Sequence, residues 1–511
     1  MRQDLPSTPK QITKFLGLIG LLAVFAMTGC GSSPRKSGDG SPGEADLAVE
    51  QQRLRDIIVY NEKHDGHGLD GLRDIIAAPT FRSLSVEDQF QALTLAAGAT
   101  TPAEIPLAQR YLDRAIALPG IAFEDLEITL RMATNAGYAA GAVKSLTLLA
   151  RQWPEQMAGV EIYTVRHALF LSEHAPRRDK LSMLQALYAA HWKLEWDLEP
   201  SEAWRDLALL LVEQGSVREA IEVSTHITGA YVLAAMRADR RFDAVVAAHP
   251  EQFDVDAAAT KERKLYQALS EQHPKSLALK VRALEALLHE RHYAAMLADS
   301  DAVVQVIQST NFPEKLYDDY VEQHSRYLFL RSVALQREGR WDEAVAQLVE
   351  ASHDGDINQL INLASLYWAL NRPKEALSLL STIAPDRVSP YGAMQLETIR
   401  LQAAVLSEDR DQAARSSKYL SEHRADSPAD YSVSLLTTMQ WERAAAYLVS
   451  ELQDKDLRQD ALLDVQDYQP TPGSELEVQL EARWREVVAR KEVQSAIRKV
   501  GRVESYRLEA P

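Results

Sequence analysis

The sequence predicts an all-α protein: an α-solenoid of helix-turn-helix repeats ending in a C-terminal helical cap. Three observations carry this. The 511 residues include 71 alanines but only 22 glycines and 21 prolines, a composition rich in the best helix former and poor in chain breakers. From Asp46 onward no run alternates apolar and polar residues between turn signals, as a half-buried strand does. Helical patterns of about 12–15 residues recur instead in pairs, each pair joined by a short polar break.

The chain opens on a segment of a different kind. Arg2, Lys10 and Lys14 precede an apolar run from Phe15 to Met27, shorter than the ~20 residues a spanning helix needs. A basic region followed by such a run is the layout of a secretory signal peptide. The run ends Met27-Thr28-Gly29-Cys30, and Cys30 is the only cysteine. This resembles a bacterial lipobox, in which small residues precede a cysteine that becomes diacylated and N-terminal. The resemblance implies a signal peptide over residues 1–29 and lipid attachment at Cys30. Gly31, where an aspartate commonly retains lipoproteins at the inner membrane, implies the outer membrane and a periplasmic body. A plain signal peptide or an uncleaved anchor is the alternative. Residues 30–45 then form the lipidated cysteine and a flexible tether, with ten Gly, Ser or Pro among residues 31–45; such a stretch buries no core. Cleavage removes three basic side chains and one acidic, taking the net charge from -17 to -19. That balance argues against nucleic-acid binding, which needs clustered Lys and Arg.

Residues 46–452 carry the repeats. The clearest segments are Trp204, Leu207, Ala208, Leu211, Gly215 and Ala220; then Leu328, Ser332, Leu335, Gly339, Ala344, Leu348 and Ala351; then Leu360, Leu363, Ala364, Tyr367, Ala376 and Leu380. In each, a large-large-small-large stripe is followed by an alanine twelve residues after the small one. Small residues matter because helices approach closely only where a side chain is short. Glycine after the first helix suits a left-handed C-cap. The stripe resembles the tetratricopeptide repeat, a two-helix unit of ~34 residues, and Gly339-Arg340-Trp341-Asp342-Glu343-Ala344 resembles that family's inter-helix turn.

Weaker copies extend the array. Gly137, Ala142, Leu146 and Pro154 fit one, and Leu93, Ala96, Ala108, Leu112 and Ala115 another. Trp441-Glu442-Arg443-Ala444 repeats the turn at Trp341, while Phe242-Asp243-Ala244 and Tyr293-Ala294-Ala295 keep only the aromatic opening of the second helix. Ala344 and Ala376 lie 32 residues apart, so the register slips. About nine or ten helix pairs are expected, several of them degenerate. An irregular helical bundle containing a few such repeats is the alternative.

Residues 453–511 depart from the pattern. Residues 466–473 read as a loop, and Ser474-Glu475-Leu476-Glu477 as a capping box. The helix it starts runs through Trp484 and Val488 to about Lys491, with a second short helix ending near Val500-Gly501. This tail is expected to cap the array.

Motifs for chemistry are weak. Gly66-His67-Gly68-Leu69-Asp70-Gly71 matches a dinucleotide fingerprint but lacks the βαβ unit that gives it meaning. It reads as a loop, and His64, Asp65, His67 and Asp70 as a solvated polar turn rather than metal ligands. His289-Glu290-Arg291-His292 is one residue short of the zincin motif, so an exposed turn is expected there. No nucleophile-elbow or phosphate-loop motif occurs. Neither a catalytic residue, a metal nor a cofactor is expected, apart from the acyl lipid on Cys30.

An array of this kind binds partners on a concave face lined by the first helix of each pair. Residues off the packing stripe there are Arg326, Phe329, Val333, Gln336 and Arg337, then Asn358, Ile361, Ser365 and Trp368; an earlier copy offers Glu202, Arg205 and Glu213. Arg326, Phe329, Gln336, Arg337, Asn358, Ser365, Trp368 and Arg205 are the candidate partner-binding set, because aromatic residues with arginine make interface hot spots. Contact of these residues with a neighbouring helix or the tail is the competing reading. Leu209 and Ser365 stand where the family's Lys/Asn carboxylate clamp wants asparagine. The resemblance implies a non-enzymatic scaffold binding envelope proteins within an assembly, secretion or export machine. Two other readings differ in class. One is a peptidoglycan- or polysaccharide-processing enzyme using a carboxylate such as Glu202; the other is a regulator acting through residues 474–511.

Overall fold

The computed structural model describes residues 48–49, 51–57, 70–101, 104–353, 355–384 and 387–511. The expected signal peptide, Cys30 and the tether lie outside the described residues, as do Gly66 to Leu69 of the expected glycine-rich loop; its last residues, Asp70 and Gly71, open a helix instead. The described residues are helical almost throughout, with one two-stranded ribbon of two residues per strand. The all-α solenoid class expected from the sequence is therefore observed.

The chain forms two compact units that divide between Leu210 and Leu211. The first holds α1 (Asp70–Ala77), α2 (Val86–Gly98), α3 (Ile105–Ile116), α4 (Phe123–Asn135), α5 (Ala139–Gln152), α6 (Ile162–Leu171), α7 (Arg177–Ala189) and most of α8 (Ser201–Glu213). Here α2 packs on α3, α4 on α5 and α5 on α7. Of the stripe residues read in this region, Leu93, Leu112, Ala115, Ala142 and Leu146 are at most 2% exposed, while Ala108 is half-buried. Short side chains mark the α4–α5 crossing, where the Thr129 and Ser145 hydroxyls meet at 3.2 Å.

The second unit continues with α9 (Val217–Ser224), α10 (Ala230–Ala238), α11 (Asp243–Ala248), α12 (Val255–Gln272), α13 (Leu277–His289), α14 (Tyr293–Gln308), α15 (Tyr320–Arg337) and α16 (Trp341–Ala351). It goes on through α17 (Ile357–Ala369), α18 (Pro373–Leu380), α19 (Pro390–Leu406), α20 (Arg410–Glu422), α21 (Pro428–Thr437) and α22 (Trp441–Gln453). Successive pairs pack in order: α15 on α16, α17 on α18, α19 on α20, α21 on α22. The tail comprises α23 (Arg458–Asp464), β1 (Asp467–Tyr468), α24 (Glu475–Val488), α25 (Lys491–Val500) and β2 (Ser505–Tyr506).

One backbone turn unifies good and degenerate copies. After the first helix of seven pairs, and after α7, a residue adopts positive φ: Gly137, His191, Gly215, Arg291, Gly339, Asn371, Glu408 and Met439, at 50–85°. The next N–H then reaches back five residues, as from Arg340 to the Leu335 carbonyl at 2.8 Å and from Gln440 to Leu435 at 2.8 Å. This 6→1 bond is the mark of a Schellman motif, which satisfies a carbonyl left open at the helix end. The expected glycines at 137, 215 and 339 hold this place, and five non-glycine residues hold it elsewhere. The turn after α2, where Ala99 has φ -86°, and the turn expected at Phe242 do not share it. Asp239 there has φ -93°, and the open carbonyl of Ala238 accepts instead from Arg502 of the tail at 2.9 Å.

The tail begins as the sequence predicts. Ser474 and Glu477 make the reciprocal capping box at the start of α24, which ends at Val488, three residues earlier than expected; α25 ends at Val500. Where a loop is expected, β1 pairs in parallel with β2, Asp467 beside Ser505 and Tyr468 beside Tyr506. Gly501 is required where it stands. A Cβ there would lie 2.3 Å from the Ala238 carbonyl oxygen, because the backbone forms an antiparallel bridge to Asp239. Since α10 also packs on α23, the beginning and end of this unit meet.

Candidate functional site

Of the eight candidate residues, Arg205 lies on α8, four lie on α15 and three on α17. Arg205 pairs with its neighbour Asp206 at 2.8 Å. Arg326 grips Glu285 of α13, which also accepts from Arg282 at 3.2 Å. Burial works against ionisation of Glu285, but Arg282 and Arg326 outweigh it and hold the carboxyl below the ordinary range. Phe329 packs, partly buried, on the core that α15 shares with α13 and α16. Trp368 is 9% exposed and belongs to a cluster with Ile361, against which Leu476 and Leu480 of α24 pack. Gln336 and Ser365 are half-buried, and Asn358 is exposed. The first helices α17 and α21 thus carry the tail helix α24.

Arg337 leads to a polar constellation within the second unit. Its Nε lies 2.9 Å from Oε1 of Glu509, while the Tyr293 hydroxyl donates to Oε2 at 2.7 Å. The backbone of Glu509 is read as well. Its N–H donates to the His289 carbonyl at 3.0 Å, and its carbonyl accepts from the Tyr231 hydroxyl at 2.7 Å. Four groups from α10, the α13–α14 turn and the end of α15 therefore converge on one residue two places from the C-terminal end. Glu509 is 5% exposed and Leu508 beside it 2%. Burial, and then the hydrogen bond to Glu509, raises the Tyr293 hydroxyl well above the ordinary phenol range. An aromatic row backs the site: Tyr506 on Tyr468 at 5.9 Å, Tyr468 on Tyr231 at 6.3 Å, Tyr231 edge-on to His289 at 4.8 Å. Burial pushes His289 down to about 4, so its ring is neutral near pH 7.

The approach to this residue is anchored in steps. Arg237 pairs with Glu504 at 2.6 Å, Arg502 with Asp243, and Arg507 with Asp256 at 2.9 Å. Arg507 is 81% exposed at its side chain, so the anchor at the rim is weak. The sequence reading missed Glu509, Tyr293 and Tyr231. The signal available was the period-two placing of Tyr506 and Leu508, which marks a short strand.

The other chemical candidates resolve plainly. The exposed turn expected over His289 to His292 is exposed only at its end. His289 closes α13 with its ring half-buried against Tyr231. The turn proper is Glu290 to His292 with Arg291 at φ 64°, and His292 is half-exposed, 4.0 Å from Glu290. Among the described residues no group of three or more His, Cys, Asp or Glu converges on a metal position. No helix among them is long and apolar enough to cross a membrane. Glu202 is exposed. Glu451 is buried, and burial, with Asp464 and Asp460 adding repulsion, pushes it up to about 8. A depression of about 310 Å³ lies beside α20 and α21, with Lys418, Glu422, Tyr431 and Arg443 in its lining.

These features define a class, the α-solenoid of paired helices. Residues 325–350 and 359–381 match the family model of the tetratricopeptide repeat, so the chain carries tetratricopeptide repeats at α15–α16 and α17–α18. By type it is a protein-binding scaffold. No curated protein matches the sequence significantly. Among solved structures, one similar chain is from the structure of Naa15/Naa10 bound to HypK-THB, at 13% identity and a TM-score of 0.19, covering 86% of this chain and 73% of that one. Another is a circular tandem repeat protein with novel repeat topology, at 15% identity and a TM-score of 0.15, covering 89% of this chain and 98% of that one.

Proposed function

We propose that the chain is a non-enzymatic scaffold, anchored to the outer membrane through lipid on Cys30, with its repeats in the periplasm. There it holds envelope proteins within an assembly, secretion or export machine. The observation that carries the binding role is the run of paired helices that includes the two matched repeats, since such surfaces act by presenting side chains to a partner. The anchor rests on the basic and apolar leader ending at the sole cysteine. No metal or cofactor enters this reading. Two measurements test it. Cys30→Ser should move the protein from the membrane to the soluble periplasmic fraction; an unchanged distribution overturns the anchor. Crosslinking in intact cells through a photoreactive group at exposed Asn358 should capture a defined envelope protein. Capture of none, or loss of a cell-wall hydrolase activity on Glu202→Gln, overturns the scaffold.

A further inference from the structure

The segment from Gly501 to Pro511 contributes no helix to the array, yet it makes the most specific contacts of the tail. Its apolar side chains Tyr506 and Leu508 are 7% and 2% exposed, whereas Val503 is 40% exposed, and Arg507, Ala510 and Pro511 are exposed. Alternate side chains are thus taken up and released, as an extended peptide in a groove presents them. Glu509 ends this pattern with two backbone contacts that any residue satisfies and two side-chain contacts that only a carboxylate of glutamate length satisfies. The His289 carbonyl and the Tyr231 hydroxyl read the main chain; Tyr293 and Arg337 read the acid. All four come from α10 and the α13–α15 region, and none from the tail itself. The recognised carboxylate is a side chain, not the chain terminus.

We propose that this groove is a receptor for an extended peptide bearing an apolar residue followed by glutamate, and that residues 505–509 are the chain's own occupant of it. A partner binds by presenting such a segment and displacing the tail. This rests on the scaffold reading and says what the partner must offer. Because the tail is tethered, it competes at a high effective concentration. An incoming segment therefore meets a closed site unless it binds more tightly or the tail is weakened.

The test uses the full chain and a labelled nine-residue peptide with the sequence of residues 503–511, followed by fluorescence anisotropy. A full-length variant with Leu508→Ser and Glu509→Ala should bind this peptide at least about tenfold more tightly than the native chain does. The same peptide with glutamine for its second glutamate should lose most of that gain. Equal binding to both chains, or none to a variant of native helicity whose tail amides exchange faster, overturns the proposal. If the variant does not fold, excess unlabelled peptide on the native chain decides the matter. Faster hydrogen exchange at residues 503–511 supports displacement, and unchanged exchange overturns it. Failure here with partner capture at Asn358 intact removes the groove alone; loss of capture with peptide binding intact removes the envelope partner instead.

Discussion

If the eight left-handed turns are one motif, glycine should be favoured at each over any residue that resists positive φ, and Met439→Gly is the sharpest probe. Met439 has φ 54°, a region that costs a residue bearing Cβ roughly 1–2 kcal/mol. Its side chain is 58% exposed, so removing it forfeits little apolar burial. Glycine has more freedom to lose on folding, which takes back roughly 0.5–1 kcal/mol. The balance is a stabilisation of about 0.5–1 kcal/mol. The bond from the Gln440 N–H to the Leu435 carbonyl is main-chain and survives the change. Gly339→Ala is the reciprocal: a Cβ there meets nothing within 4 Å, so only the backbone objects, by about 1 kcal/mol. Asn371→Gly is the control and should change little, because asparagine tolerates this region. Urea unfolding of the full chain, followed by far-ultraviolet circular dichroism, reads all three. A lowered midpoint for Met439→Gly, or an unchanged one for Gly339→Ala, refutes the equivalence of the turns.

Three other outcomes follow from the same physics. A double-mutant cycle on Arg337→Ala and Glu509→Gln, whose side chains are 17% and 7% exposed, should return a coupling of roughly 1.5–3 kcal/mol in urea unfolding; additive effects would mean the pair does not act. Glu451, pushed from 4.5 to about 8, keeps when folded a proton that the unfolded chain gives up. Stability should therefore fall as pH rises through that window, by at most about 1.4 kcal/mol per unit. Glu451→Gln should abolish this part of the slope, so identical slopes in both proteins would contradict it. Trp368→Ala should cost roughly 3–5 kcal/mol as a core truncation; a change below about 1 kcal/mol, the range of surface substitutions, would mean that α24 does not cover it.

The legible part of the fold was whatever is local. Gly339 to Ala344 spells out a turn within six residues, and the stripes at Ala208, Ser332 and Ala364 mark helix crossings because only small residues permit them. At Arg291, Glu408 and Met439 the same turn is disguised, since tertiary packing fixes a left-handed residue that local preference opposes. The ends of α24 and α25 were within reach through a capping box and a glycine. The site was less so. Arg326, Arg337 and Trp368 stand out as charges and rings off the stripe. Their companions are Glu285, Glu509 and α24, which lie 41 residues away, 172 residues away and in a segment with no repeat. No spacing rule links such positions. Tyr506 and Leu508 carry a faint alternation, but two residues are too few to assign a strand without its partner.

The contact between Tyr231 and Glu509 spans 278 residues. An open solenoid grows repeat by repeat, each stabilised by the one before. The second unit of this chain is different, because its earliest helices leave groups for its last residues to satisfy. Closing a loop of that length costs an entropy of about 5 kcal/mol before any contact forms. Synthesis delivers the amino-terminal end first, so the Tyr231 hydroxyl stays without this acceptor until Glu509 is made and free to fold. The unit is therefore completed only when both ends of that span are present, and a nick before Glu509 is felt at Tyr231.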